Sequence, residues 1–324
     1  MRAVVPVSGQ LIWQEVPDVS AGSGEVLIKV HAAGVNRADL LQAAGNYPPP
    51  PGASEILGLE VSGTIAAVGE GVADLAVGQE VCALLSGGGY AEYVAAPAAK
   101  VMTIPAGVPE EDAAGLPEAA CTVWSNLVMT ARLQAGEFIL IHGGASGIGS
   151  HAIQVARVLG ARVAVTAGAP AKLELCAGLG AEVLIDYRAD DFVERVHRAT
   201  DGRGADLILD VMGASYLERN LASLALDGRL AIIGLQGGLK AQVNIGTLIG
   251  KRLTVLGTAL RSRPVDGPQG KAAIVDAVVQ SVWPMVASAR VRPVIGARYP
   301  IDQAAEAHRA LAAGETYGKV LLVM

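Results

Sequence analysis

The pattern of apolar and polar positions changes character twice along the chain. In the first third, short apolar runs at 26–30, 61–68, 80–85 and 90–94 are separated by glycine- and proline-rich stretches. Runs of that length bounded by turn residues read as strands. Helical patterning is scarce there, so a small, irregular β barrel is expected. Around 109–131 the texture becomes alanine-rich and helical, including Pro117–Trp124. From 138 onward apolar runs alternate with helical stretches, which predicts strands over 138–142, 162–166, 182–185, 206–210, 228–233 and 252–257. Short buried strands with intervening helices imply an α/β fold built on an open, doubly wound parallel sheet. Beyond Pro264 the pattern predicts one long amphipathic helix over 267–287, then a strand, a helix and a last strand.

Composition narrows the classes. The 324 residues are 52% hydrophobic but only 4% aromatic, so the core is built from Val, Ile, Leu and Ala, as suits buried parallel strands under alanine-rich helices. A formal charge of −6 leaves no electrostatic footprint for nucleic acid or for an anionic membrane surface. Residues 138–156 carry no Asp, Glu, Lys or Arg, but glycines, serines and two histidines interrupt them, against a membrane span. The first apolar run is broken by Pro6, Gln10 and Glu15, so no secretory signal is expected. Cys82, Cys121 and Cys176 read as reduced, buried thiols of a cytoplasmic protein, and none stands in ligand spacing with a histidine.

The most informative stretch is Ile139–Arg157, an apolar run that ends in glycines and opens into a helix. A strand turning sharply into a helix presents backbone N–H groups and the positive end of the helix dipole to a phosphate. In the six residues from Gly144, glycine stands first, fourth and sixth (Gly144, Gly147, Gly149), with Ser146 in the third place where the dinucleotide fingerprint has glycine. Tight structural turns also use glycine, but the strand-like 161–166 completes a βαβ unit and favours dinucleotide binding. The second strand then runs through Thr166 to Gly168 with no carboxylate before Glu174. An acid there would bind the ribose 2′-hydroxyl of NAD and repel a 2′-phosphate, so its absence permits NADPH. Lys172 follows closely, and Tyr187 and Arg188 end the third strand. Taken alone, Lys172 also reads as a solvated helix lysine, Tyr187 as a half-buried strand end, and Arg188 as a surface charge. Asp210 ends the fourth strand, as a crevice residue or a cap. Gly234 and Leu235 follow the fifth and are expected to line the cofactor pocket through their backbone. With Ile148 these complete the expected cofactor contacts.

Two residues of the first third stand out. Tyr47 precedes four prolines in a stiff, extended loop, where its phenol could donate a hydrogen bond or its ring could pack over the prolines. Asn36 ends a strand, where its amide could donate to a ligand or could cap a turn. His142 reads as a satisfied core histidine; His31, His151, His197 and His308 show no partner spacing, and Cys121 beside Trp124 reads as core.

Several segments together carry a resemblance: Gly34–Leu40, Tyr47–Ser54, Leu57–Glu60, Gly87–Tyr93, Leu224–Arg229, Leu260–Arg263 and Tyr317–Lys319. In content and order they resemble the medium-chain dehydrogenase/reductase superfamily over essentially the whole chain. Within it the chain resembles the zinc-free quinone oxidoreductase branch, closest to the p53-inducible quinone oxidoreductase-like group. The resemblance implies a GroES-like barrel domain over 1–118 and 262–324 and a Rossmann domain over 119–261, and it implies a homodimer paired through the open edge strand at 253–257. It places Lys172, Tyr187 and Ser146 at the 2′-phosphate of NADPH and adjacent groups, and Asn36 near the nicotinamide. Zinc alcohol dehydrogenases resemble Gly-His-Glu where this chain has Gly58-Leu59-Glu60, and their cysteine ligand and four-cysteine lobe have no counterpart. A metal is therefore not expected. Without a Lewis acid the acceptor must already take hydride readily, as quinones do. The expectation is an NADPH-dependent quinone reductase with Tyr47 and Asn36 as catalytic groups. Reduction of enones or enoyl thioesters, and NADPH binding with little turnover, stay open as alternatives.

Overall fold

The computed structural model describes every residue except Ser8. It divides into two compact units, Met1–Cys121 with Leu260–Met324, and Thr122–Ala259.

Strand Glu25–Val35 organises the first unit. Its alternating burial marks a strand with one face in the core, and the face closes at its end, where Ala32 to Val35 are all buried. On one side it pairs antiparallel with Glu60–Val68 along most of its length. On the other it pairs first with Tyr93–Pro97 and then with Lys319–Val323. Glu80–Leu84, Val101–Thr103 and Ile295–Pro300 complete a seven-stranded sheet. The strand expected at 90–94 lies instead at Tyr93–Pro97, because Tyr90 is used otherwise: its carbonyl accepts from Val4 N, while Ala3 and Ala91 form a lone bridge. An N-terminal hairpin, Arg2–Val7 with Gln10–Glu15, and a short helix, Arg37–Ala43, arise where the pattern predicted neither.

The helix expected over 267–287 is two, Lys271–Ser281 and Trp283–Ala287. Pro284 lacks the N–H that a continuous helix would use, and its ring crowds the preceding turn. The alanine-rich stretch likewise resolves into Glu110–Ala113 and Pro117–Trp124, the latter running into a π-helical turn at Ser125–Thr130.

The second unit holds six parallel strands in the spatial order Val183–Asp186, Arg162–Ala167, Phe138–His142, Ala205–Asp210, Leu224–Ile232, Thr254–Gly257. The order reverses between Phe138–His142 and Ala205–Asp210, and a crevice opens at such a switch point outside the carboxyl ends of the strands. Strand Leu224–Ile232 begins four residues before the expected 228, because it continues through an irregularity. Asp227 takes a left-handed φ of +61°, and pairing slips from Ala205↔Leu224 to Leu207↔Arg229. Phe138, Leu140, Ala164, Ile185, Ile208 and Leu230 are fully buried in this core, each large apolar side chain contributing roughly 1.5–3 kcal/mol. Among the described residues no helix is long and apolar enough to cross a membrane.

Candidate functional site

In the second unit the expected cofactor residues gather at the carboxyl ends of the strands. After Phe138–His142 the chain turns through Gly143 at φ +69° and enters helix Gly147–Val158. Ser146 caps that helix, its Oγ accepting from Gly149 N at 3.0 Å. The first-turn N–H groups of half-buried Gly147 and Ile148 have no intrahelical acceptor. Gly144 and Gly149 are there because nothing larger fits. A Cβ on Gly144 would lie 2.7 Å from Val165 Cβ, and one on Gly149 would lie 2.7 Å from Gly144 Cα. Thr166 ties the turn to the second strand: its Oγ1 accepts from Gly143 N at 3.3 Å and lies 3.1 Å from His142 Nδ1.

His142 is spent structurally. Its Nε2 lies 2.8 Å from Asn220 Oδ1, which assigns the proton to Nε2, and burial pushes its pKa down to about 4. Asp210 caps the loop after the fourth strand, accepting from Met212 N at 2.8 Å and Gly213 N at 2.9 Å. Gly234 lets Val211 O approach to 2.7 Å of where a Cβ would stand, and Leu235 beside it is half exposed. At the end of the second strand the Tyr187 phenol packs directly over Gly168, in space that any side chain on residue 168 would fill. Lys172 sits on the first turn of helix Pro170–Leu179, half-buried. Arg188 is exposed. No carboxylate interrupts 162–173.

The first unit holds the other two expected residues, Asn36 and Tyr47, within a set of charged groups that the pattern did not single out. Asn36 follows the central strand and precedes helix Arg37–Ala43, so both its strand-end and its cap readings hold. Its N–H donates to Asp39 Oδ2 at 2.7 Å, and Gly58 N donates to Asp39 Oδ1 at 3.0 Å. Asp39 is wholly buried, and burial raises its pKa to about 6. The Asn36 amide is held at both ends: Nδ2 donates to Glu60 Oε1 at 2.9 Å, and Oδ1 accepts from Lys319 Nζ at 2.7 Å. Lys319 also donates to Glu60 Oε1, and Glu118 N donates to Glu60 Oε2 at 2.9 Å. Gly34 supplies the room, since a Cβ there would collide with the Glu60 carboxylate.

Tyr47 is half-buried, with the Arg261 guanidinium 5.2 Å from its ring centroid. Arg261 is itself buried and donates to Ser86 O at 3.0 Å, Tyr47 O at 3.3 Å and Gln42 Oε1 at 2.7 Å, so it fastens the proline loop in place. Burial keeps the Tyr47 phenol protonated, with its pKa raised. Glu118, half-buried near Glu60, is pushed up to about 8 by burial and by the Glu60 charge. Asp39, Glu60, Lys319 and Arg261 lie inside segments that carried the family resemblance, and Glu118 lies in the helix expected at 117–124. Their pairing depends on contacts between distant segments, which no local spacing reveals.

Comparison with known proteins places the chain. The alcohol dehydrogenase GroES-like domain family matches residues 22–106, and the zinc-binding dehydrogenase family matches residues 147–275. Quinone oxidoreductase of Rattus norvegicus is 30% identical over 304 residues, covering 93% of this chain and 90% of that protein. The chain belongs to the medium-chain dehydrogenase/reductase superfamily. Its first unit contains the superfamily's GroES-like domain and its second is the Rossmann-type domain. Phthioceranic/hydroxyphthioceranic acid synthase of Mycobacterium tuberculosis is 33% identical over 306 residues, and the chain spans only 14% of that protein's length. Among solved structures, the mycobacterial protein Rv1454c complexed with NADPH superposes with a TM-score of 0.90 at 31% identity, each chain covered fully. CurK enoyl reductase superposes with a TM-score of 0.86 at 26% identity, covering 100% of this chain and 99% of that one.

One family description names zinc, which the donor chemistry of this medium-chain dehydrogenase/reductase does not suit. Leu59 is buried and carries no donor, Glu60 is committed to Lys319 and Asn36, and the three cysteines are buried free thiols. Among the described residues no three His, Cys, Asp or Glu side chains are grouped to hold an ion.

Proposed function

We propose that this chain reduces an activated acceptor, a quinone, with NADPH as hydride donor. The observation that carries the reading is the end of the second strand in the Rossmann-type unit. No acid is present to claim a 2′-hydroxyl, Tyr187 packs on Gly168, and Lys172 stands on the next helical turn. In this reading Gly144, Gly147, Ile148 and Gly149 hold the pyrophosphate at the helix N-terminus. Ser146, Lys172 and Tyr187 take the 2′-phosphate, and Thr166, Gly168, Gly234 and Leu235 line the remainder. The relatives that bind NADPH or are named quinone oxidoreductases support it. NADPH, when bound, supplies the hydride.

The chain's own groups handle the acceptor. The Tyr47 phenol keeps its proton because burial raises its pKa, so Oη is a donor to the acceptor oxygen. Asn36 offers an amide N–H to the charge that develops on that oxygen. A quinone suits such a site because its reduced form is delocalised and hydrogen bonds suffice to hold it.

A second reading, reduction of an enoyl thioester, is favoured by the likeness to CurK enoyl reductase and to the mycobacterial synthase. Rates of NADPH oxidation on 1,4-naphthoquinone, a simple enone and crotonyl-pantetheine separate the two. Quinone turnover at least tenfold above the thioester is expected, and the reverse order replaces the first reading with the second. We also propose that two copies pair through the open edge strand Thr254–Gly257, where exposed Val255 and the neighbouring helix residues Ile245 and Ile249 would be covered.

A further inference from the structure

Lys319 and Glu60 form an ion pair inside the first unit, 4% and 0% exposed at their side chains, and Asn36 bridges them. The bridge is directional. A cation sits on the amide oxygen and an anion on the amide nitrogen, so the amide has one orientation and its flipped form would face both charges with the wrong ends. Asn36 Nδ2 carries two hydrogens. One goes to Glu60; the other has only the Gly34 carbonyl, at 3.5 Å, long for a hydrogen bond. Asn36 is only half-buried, and this long second contact is the one an acceptor oxygen would replace. An ammonium drawing on the carbonyl end of an amide increases the partial charge on its N–H groups, as hydrogen bonds in a chain polarise one another.

We propose that Lys319 is a positioning residue: an internal cation that, with Glu60, fixes and polarises the Asn36 amide so that its remaining N–H serves the acceptor oxygen. This rests on the reading of Asn36 as a donor to the acceptor. It goes beyond that reading in assigning the strength of the donor to two groups that never touch substrate. The same arrangement accounts for Gly34, which leaves space for the Glu60 carboxylate.

The test is a mutant cycle on quinone reduction. Lys319→Met alone strands the Glu60 charge in the interior, so the pair Lys319→Met with Glu60→Met, which removes both charges, is the working background. The pair is expected to lower kcat at least tenfold with KM changed less than threefold, and Asn36→Ala is expected to do the same alone. Adding Asn36→Ala to the pair should then cost less than twofold more. Multiplying losses would show that the ion pair acts independently of Asn36 and would overturn the proposal while leaving the reductase reading intact. If the wild-type chain oxidises no NADPH with any acceptor, the functional reading falls and the proposal with it. A readout free of turnover is the side-chain amide resonance pair of Asn36 in ¹⁵N-labelled protein. Two widely separated, slowly exchanging protons are expected in the wild type and should collapse toward free-amide positions in the double variant. Unchanged resonances would contradict the proposal.

Discussion

The turn at Gly143–Gly149 and the cluster around Glu60 both manage negative charge, and they do so with different materials. The turn presents backbone N–H groups from one short stretch of chain, shaped by Gly144 and Gly149, where any Cβ would collide with its neighbours. The cluster holds a buried carboxylate with side-chain and backbone donors from three separated stretches: Asn36 after the central strand, the N-terminus of helix Pro117–Trp124, and Lys319 on the last strand. A backbone site is local, so a change there strains one turn and the binding that turn supports. A side-chain cluster spans the unit, so a change there damages fold and chemistry together.

Lys319→Met sharpens that contrast most. Leaving Glu60 buried without its partner should cost about 3–5 kcal/mol in urea unfolding, while removing both charges should recover most of the loss. Recovery of less than half would mean that Lys319 contributes packing rather than charge. Gly149→Val comes next. Its Cβ would lie 2.7 Å from Gly144 Cα, and about 3 kcal/mol of destabilisation with loss of NADPH binding is expected by calorimetric titration. Nucleotide binding that survives would contradict the close-packing role of this glycine.

The third test uses pH. The folded pKa of Glu118 is about 8 against an ordinary 4.5, so the folded state holds the proton more tightly and stability falls as pH rises through the interval between them. Asp39, at about 6, acts in the same direction below pH 6. His142, His151 and His308, each lowered to about 4, oppose it below pH 6.5, where the unfolded state binds the extra protons. Between pH 6.5 and 8 Glu118 is the main one of these still titrating. Stability should drop there by on the order of 2 kcal/mol, and Glu118→Gln should flatten the curve. A flat wild-type profile would remove Glu118 from the buried cluster. Ser146→Ala should cost less, about 1 kcal/mol from the lost cap, with NADPH affinity falling more than NADH affinity. Val255→Lys should leave stability nearly unchanged and convert a dimer to a monomer in light scattering, if the open edge is the interface.

The same contrast explains what could be read beforehand. The six parallel strands and the glycine turn were legible because each is encoded within a few residues: an apolar run, a glycine, a capping serine. The N-terminal hairpin is not legible because its outer strand, Gln10–Glu15, is only half covered and lacks a clear apolar run. The division of the 267–287 helix turned on one proline inside an otherwise amphipathic pattern. At the site, Tyr47 and Asn36 stand out by their local setting, whereas Lys319, Glu60 and Arg261 pair across more than two hundred residues or tie distant loops. Their clue was indirect: each lies in a segment that carried the family resemblance.

The proposed activity is reduction of a quinone, without metal, by a 2′-phosphorylated dinucleotide bound in the Rossmann-type unit. Initial rates with 1,4-naphthoquinone, taken with NADPH and with NADH in the presence of a chelator, test it most directly. Turnover unaffected by the chelator is expected, with a kcat/KM at least tenfold higher for NADPH that falls to near parity in Lys172→Ala. Equal use of the two cofactors by the wild type, or activity that disappears with the chelator and returns with zinc, would contradict it.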